Sequence, residues 1–67
     1  MNEEDILNIE NAVGKAEALI MMIKDACIAN ELYDEQVTLE IILQYIKQAG
    51  ESLSDLHYQM FIKPLNT

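Results

Sequence analysis

The amino-acid sequence predicts an all-α protein: an antiparallel helical hairpin, paired into a homodimeric four-helix bundle. Three observations lead there. Apolar residues recur at alternating steps of three and four through both halves of the chain, only Glu31-Leu32-Tyr33-Asp34 interrupts them, and the 67 residues include just 2 glycines and 1 proline. Steps of three and four place residues on one side of a helix, and sustained over four turns or more they make the a/d stripe of helices that pack along their length.

In the first half the stripe reads Ile6, Ile9, Val13, Ala16, Ile20, Ile23 and Cys27, widened by Ala12, Leu19 and Ala26. Asn2 is suited to cap the helix start, and Glu3, Glu4 and Asp5 supply negative charge where the helix dipole is positive. Helix 1 is predicted over residues 3–30. In the second half Leu39, Ile42, Ile46, Ala49, Leu53, Leu56 and Met60 repeat the stripe. Asp34 reads as an N-cap, and Pro64 pushes the residue before it out of helical geometry. Helix 2 is predicted over residues 35–61. Gly50 costs about 1 kcal/mol relative to alanine inside a helix. The stripe passes Gly50 without losing phase, so helix 2 is expected to run through it. The whole chain, 1–67, reads as one domain. A connection of four residues sets the helices side by side and antiparallel.

One hairpin does not account for all the apolar residues. Below about 70 residues a single core is marginal, and Met21, Ile28, Ile41, Tyr45, Phe61 and Ile62 lie off the stripe. These six are the expected contacts to a second copy or another protein partner. Small residues at Ala12, Gly14, Ala16 and Ala18 would let backbones approach closely.

Composition closes several other routes. With 12 acidic residues against 4 lysines the net charge is −8, and no basic patch exists to neutralise phosphates, which disfavours direct nucleic-acid binding. An apolar content of 51% is too high for a chain disordered by composition. Cys27 is alone, so an internal disulfide cannot form. The longest apolar run, Ala18–Ile23, falls far short of the ~20 residues that span a bilayer, so no membrane role is expected. The acidic start and the single thiol point to a cytoplasmic protein.

No catalytic, cofactor or metal site is expected, and an enzyme is not. His57 is the single histidine, and Ser54 stands where a di-iron bundle protein would carry glutamate. It is expected to sit half-exposed beside the stripe. Cys27 lies on the stripe and reads as a small, quiet core residue. Glu31, Asp34 and Glu35 crowd the turn but lack the spacing of a calcium loop. Asn30 falls at the last stripe position, where it either fixes register or finishes the helix. Glu3, Glu10 and Glu17 recur every seven residues as an acidic stripe. That stripe is either a solvated face or a mimic of a phosphate backbone.

The helix lengths, the short turn and the run Asn30-Glu31-Leu32 leading into Asp34-Glu35-Gln36 resemble the plasmid copy-number regulators of the Rop type. That resemblance implies a homodimeric four-helix bundle. The RNA-contacting face of Rop uses first-helix lysines with an aromatic. Here helix 1 has Lys15 and Lys24 and no aromatic, so RNA binding is not carried over. The expected function is a small acidic protein-interaction module, acting as a regulator, inhibitor or adaptor. An acidic nucleic-acid mimic and a secretion or assembly chaperone for a helical partner are the alternatives.

Overall fold

A computed structural model describes residues 1–63. It is the predicted all-α hairpin, with α1 at Glu3–Ala29, α2 at Tyr33–His57, and a π-helical segment at Tyr58–Ile62 that continues α2. α2 passes through Gly50 without a break. Lys63 is extended, with ψ 131; Pro64, expected to stop the helix, lies outside the described residues.

The caps explain where the helices begin and end. Asn2 Oδ1 accepts from the Asp5 N–H at 2.9 Å while the Asp5 carboxylate accepts from the Asn2 N–H at 3.2 Å. Two of the orphan donors of the first turn are thus satisfied reciprocally. At the other end Glu31 adopts a left-handed conformation, φ 59. The Leu32 N–H then reaches the Cys27 carbonyl at 2.8 Å and the Glu31 N–H reaches that of Ile28 at 3.2 Å. This is a Schellman ending, built here on a glutamate where glycine would be less strained. Asn30 is spent on the same job: its Nδ2 donates to the Ala26 carbonyl at 2.7 Å. Because the Schellman turn delivers the chain directly into the next helix, α2 starts at Tyr33, two residues earlier than predicted. Asp34 is therefore not the N-cap. It lies with Glu35 in the first turn of α2, where the helix dipole favours both.

The molecule measures 54 × 20 × 14 Å. Helices with side chains are about 10–12 Å thick, so this is a single layer of two helices, with two broad faces and one seam between them. Written as heptads, Ile6, Val13, Ile20 and Cys27 are the a positions of α1, and Leu39, Ile46 and Leu53 those of α2. These turn inward, all of them buried or half-buried. Their companions in the seam are not the d positions but the e positions: Glu10, Glu17 and Lys24 on α1, and Gln36, Leu43, Gly50 and His57 on α2, each buried or half-buried. The three buried side chains among the described residues are Ile6, Cys27 and Leu43.

The sequence places Ile20, Ile23, Ile42 and Ile46 together in the densest layers. Ile20 and Ile46 are half-buried, but Ile23 and Ile42 remain 51% and 38% exposed. The reason is geometric. An a/d stripe points at the axis of a bundle, and in a hairpin that axis lies beside the two helices, not between them. Facing its neighbour, each helix turns a and e inward and d outward.

Gly50 sits where α2 meets α1. A Cβ built there would stand 3.5 Å from Val13 Cγ1, an ordinary van der Waals contact. Gly50→Ala should therefore stabilise the protein by about 1 kcal/mol through helix propensity, a rise in Tm of roughly 4–8 °C for a chain of this size. A fall in Tm by circular dichroism would mean that the seam has no room for a methyl group.

Candidate functional site

One side of the layer gathers apolar residues of both helices that the hairpin leaves largely uncovered. After Asp5 in the first turn, the d and g positions of α1 are Ile9, Ala12, Ala16, Leu19, Ile23 and Ala26, all apolar. On α2 the d positions after Glu35 are Ile42, Ala49 and Leu56, with Thr38, Tyr45 and Ser52 alongside at the g positions. A hollow of about 410 Å³ near the turn is lined by Ile23 and Cys27 of α1 and by Asp34, Glu35, Thr38 and Leu39 of α2. Its lining joins Ile23, a d position of α1, to Glu35 and Thr38, d and g positions of α2, so these rows lie on the same side of the layer. Ile9, Leu19 and Ile23 are 41–59% exposed there, and Leu56 is 44% exposed. A face of this extent is larger than scattered surface apolar residues need to be.

The opposite side differs. Leu7, Gly14, Met21 and Ile28 run along α1 at the b positions, but the matching positions of α2 are Glu40, Lys47 and Ser54. The six residues expected from the sequence as partner contacts are all exposed. Met21 and Ile28 belong to this more polar side. Tyr45 adjoins the apolar side, and Ile41 lies on the outer edge of α2. Phe61 and Ile62 fall in the π-helical segment.

His57 does more than its half-exposed placement suggests. Its Nε2 lies 2.9 Å from Glu3 Oε2 and its Nδ1 lies 3.0 Å from Glu10 Oε1. The ring is largely covered, with 14% of the side chain exposed, and the Phe61 ring meets it edge-on at 6.0 Å. A neutral imidazole has one N–H, so it would satisfy one carboxylate and turn a lone pair toward the other. Contact with both selects the imidazolium. Glu10 Oε1 is buried and lacks a well-aligned hydrogen-bond donor, which makes its attraction to the ring chiefly ionic. The hydrogen bond with Glu3 raises the His57 pKa above its ordinary 6.5, partial burial works against it, and the negative charge of Glu10 adds to the rise. Both acids belong to the stripe Glu3, Glu10 and Glu17, whose third member is half-buried in the seam. The ring thus ties the C-terminal end of α2 to the first two turns of α1.

This contact was readable in principle. The hairpin pairs residues whose numbers sum to about 63, as Val13 and Gly50 do, which puts position 57 opposite position 6. Glu3 and Glu10 flank position 6 at helical spacing. Metal ligation or nucleophilic chemistry has no comparable geometry: among the described residues no three His, Cys, Asp or Glu side chains converge to hold a metal, and Cys27 is buried. No helix among them is long and apolar enough to cross a membrane. No family model, curated protein or solved structure matches the chain.

The histidine contact makes stability depend on pH with a definite sign. The folded-state pKa lies above the unfolded value near 6.5, so the stabilisation is complete below pH 6.5 and is lost as pH rises through the raised value. Tm of the unmodified protein should fall as pH rises above 6.5, and His57→Gln should remove most of that slope. Equal slopes in the two proteins would show that the imidazolium does not hold the helices together.

Proposed function

We propose that this chain is a self-associating, non-enzymatic protein-interaction module whose first partner is a second copy of itself, and which acts as a small regulator, inhibitor or adaptor. The observation that carries the reading is the division of the heptad: a and e are used within the hairpin, and Ile9, Leu19, Ile23, Ile42 and Leu56 of the d and g rows are left uncovered along one side. Two copies laid together on that side bring all four d rows to a common axis, which is the bundle that an a/d stripe is built for. Alanines at the middle of both helices, Ala12, Ala16 and Ala49, allow the two layers to approach closely there. Acidic residues away from the seam, such as Glu4, Asp25, Glu51 and Asp55, stay exposed, which helps keep the dimer soluble and leaves a charged surface for a protein partner. A single buried thiol suits a reducing compartment such as the cytoplasm.

The mimic reading has less support, because Glu3 and Glu10 turn toward His57 instead of standing as a free row of charge. A chaperone that pairs with a different helical protein would use the same apolar side, and solution mass separates it from self-association.

Sedimentation equilibrium at tens of micromolar should give a mass of twice 7.6 kDa. Ile42→Glu places a carboxylate on the apolar side without entering the seam. It should return the mass to that of one chain while the hairpin keeps much of its helical signal. A cooperatively folded monomer in the unmodified protein would overturn self-association and favour a heteromeric partner.

A further inference from the structure

The side of the layer away from the d and g rows is polar along most of its length, but not beside the turn. There α1 presents Met21 and Ile28, two turns apart at b positions, and α2 presents Tyr33 and Val37, one turn apart at b and f positions. The antiparallel pairing that sets Val13 against Gly50 sets Ile28 against position 35, midway between Tyr33 and Val37. Leu32 adjoins them, held beside the last turn of α1 by its N–H bond to the Cys27 carbonyl. These five side chains are 43–60% exposed. Negative charge rims the patch. Asp25 lies between Met21 and Ile28 on α1, and Glu40 follows Val37 on α2, its carboxylate accepting from Gln36 Nε2 at 3.1 Å. Glu31 and Asp34 stand at the turn. Lys24 is the one basic residue in 21–41, and it is half-buried in the seam.

We propose that this turn-end patch docks a basic amphipathic helix of another protein, whose apolar residues lie along the seam between Ile28 and Val37 and whose lysines or arginines meet the acidic rim. The proposal rests on the interaction-module reading above and names the partner's chemistry. Charge complementarity selects that partner. A nucleic acid or an anionic membrane surface is repelled by the same carboxylates. A second copy cannot supply the cations, because its four lysines, Lys15, Lys24, Lys47 and Lys63, are scattered along a chain of net charge −8. A helix suits the shape. Two helices side by side leave a groove along their seam, and Met21 to Ile28 covers about 10 Å of it, two turns of a docked helix with anchors at steps of three and four. The patch lies on the other side of the layer from Ile23 and Ile42, so self-association on those residues leaves it open, one site in each copy.

The probe is a synthetic peptide with leucines at steps of three and four and lysines elsewhere, titrated into the unmodified protein at low salt. The methyl resonances of Met21, Ile28 and Val37 should shift while those of Ile9 and Ile42 stay in place, and binding should weaken as salt rises. Val37→Lys should weaken binding roughly tenfold more than Gln48→Lys, which adds the same charge at an exposed position on the outer edge of α2. Circular dichroism checks that both variants keep their helix content. Shifts confined to Ile9 and Ile42, equal losses from the two substitutions, equal binding of a peptide with glutamate in place of lysine, or no binding at all each overturn the proposal. Sedimentation of the same samples reports self-association separately. Shifts at the patch of a monomer keep the docking site and remove the second copy, whereas a dimer that ignores the peptide does the reverse.

Discussion

Two helices placed side by side make a layer, and a layer has no interior. That constraint governs the rest of this molecule. Each helix carries an apolar stripe wide enough to face two neighbours, but within one chain it has one. The a positions are satisfied by the other helix, and Ile6, fully buried, is the clearest case. The d positions are not satisfied, although they belong to the same stripe and are as apolar. Folding of the single chain therefore leaves Ile9, Ile23, Ile42 and Leu56 partly in water, and that exposure is the driving force on which the proposed self-association rests.

The seam within the chain is correspondingly mixed. Its e positions include Glu10, Glu17, Lys24, Gln36 and His57, which cannot provide the burial that Leu43 does. What they provide is specificity of pairing. The His57 imidazolium held between Glu3 and Glu10 is satisfied when α2 lies against α1 in one register, because a shift by one turn would move the ring past one carboxylate. At the other end the Schellman turn through Glu31 fixes where α2 begins. The seam is thus pinned at its two ends and lightly packed along its length, and much apolar surface lies outside it.

Much of this was legible in the sequence, and what was not has physical causes. The steps of three and four gave both helices and their antiparallel arrangement, the Asn2 cap was readable from the acids behind it, and the unbroken phase across Gly50 correctly implied a continuous α2. The start of α2 was misjudged because a Schellman ending is normally announced by glycine, and here Glu31 takes the left-handed conformation. The inward residues were only half identified, since a stripe of a and d positions does not say which half meets the helix of the same chain. Leu43, apolar at an e position, was the available signal. The role of His57 required combining two weak cues, the pairing arithmetic of the hairpin and the seven-residue spacing of Glu3 and Glu10, neither of which is informative alone.

The central claim is that folding and self-association are one process, driven by the d positions that the hairpin cannot cover. Thermal unfolding followed across a hundredfold range of protein concentration tests it directly. A folded state that contains two copies is stabilised by mass action, by RT ln 100 or about 2.7 kcal/mol over that range. For an unfolding unit of two such chains this corresponds to a rise in Tm on the order of 10 °C. A cooperative transition whose midpoint stays fixed over the same range would show that one hairpin is sufficient by itself, and would contradict the account.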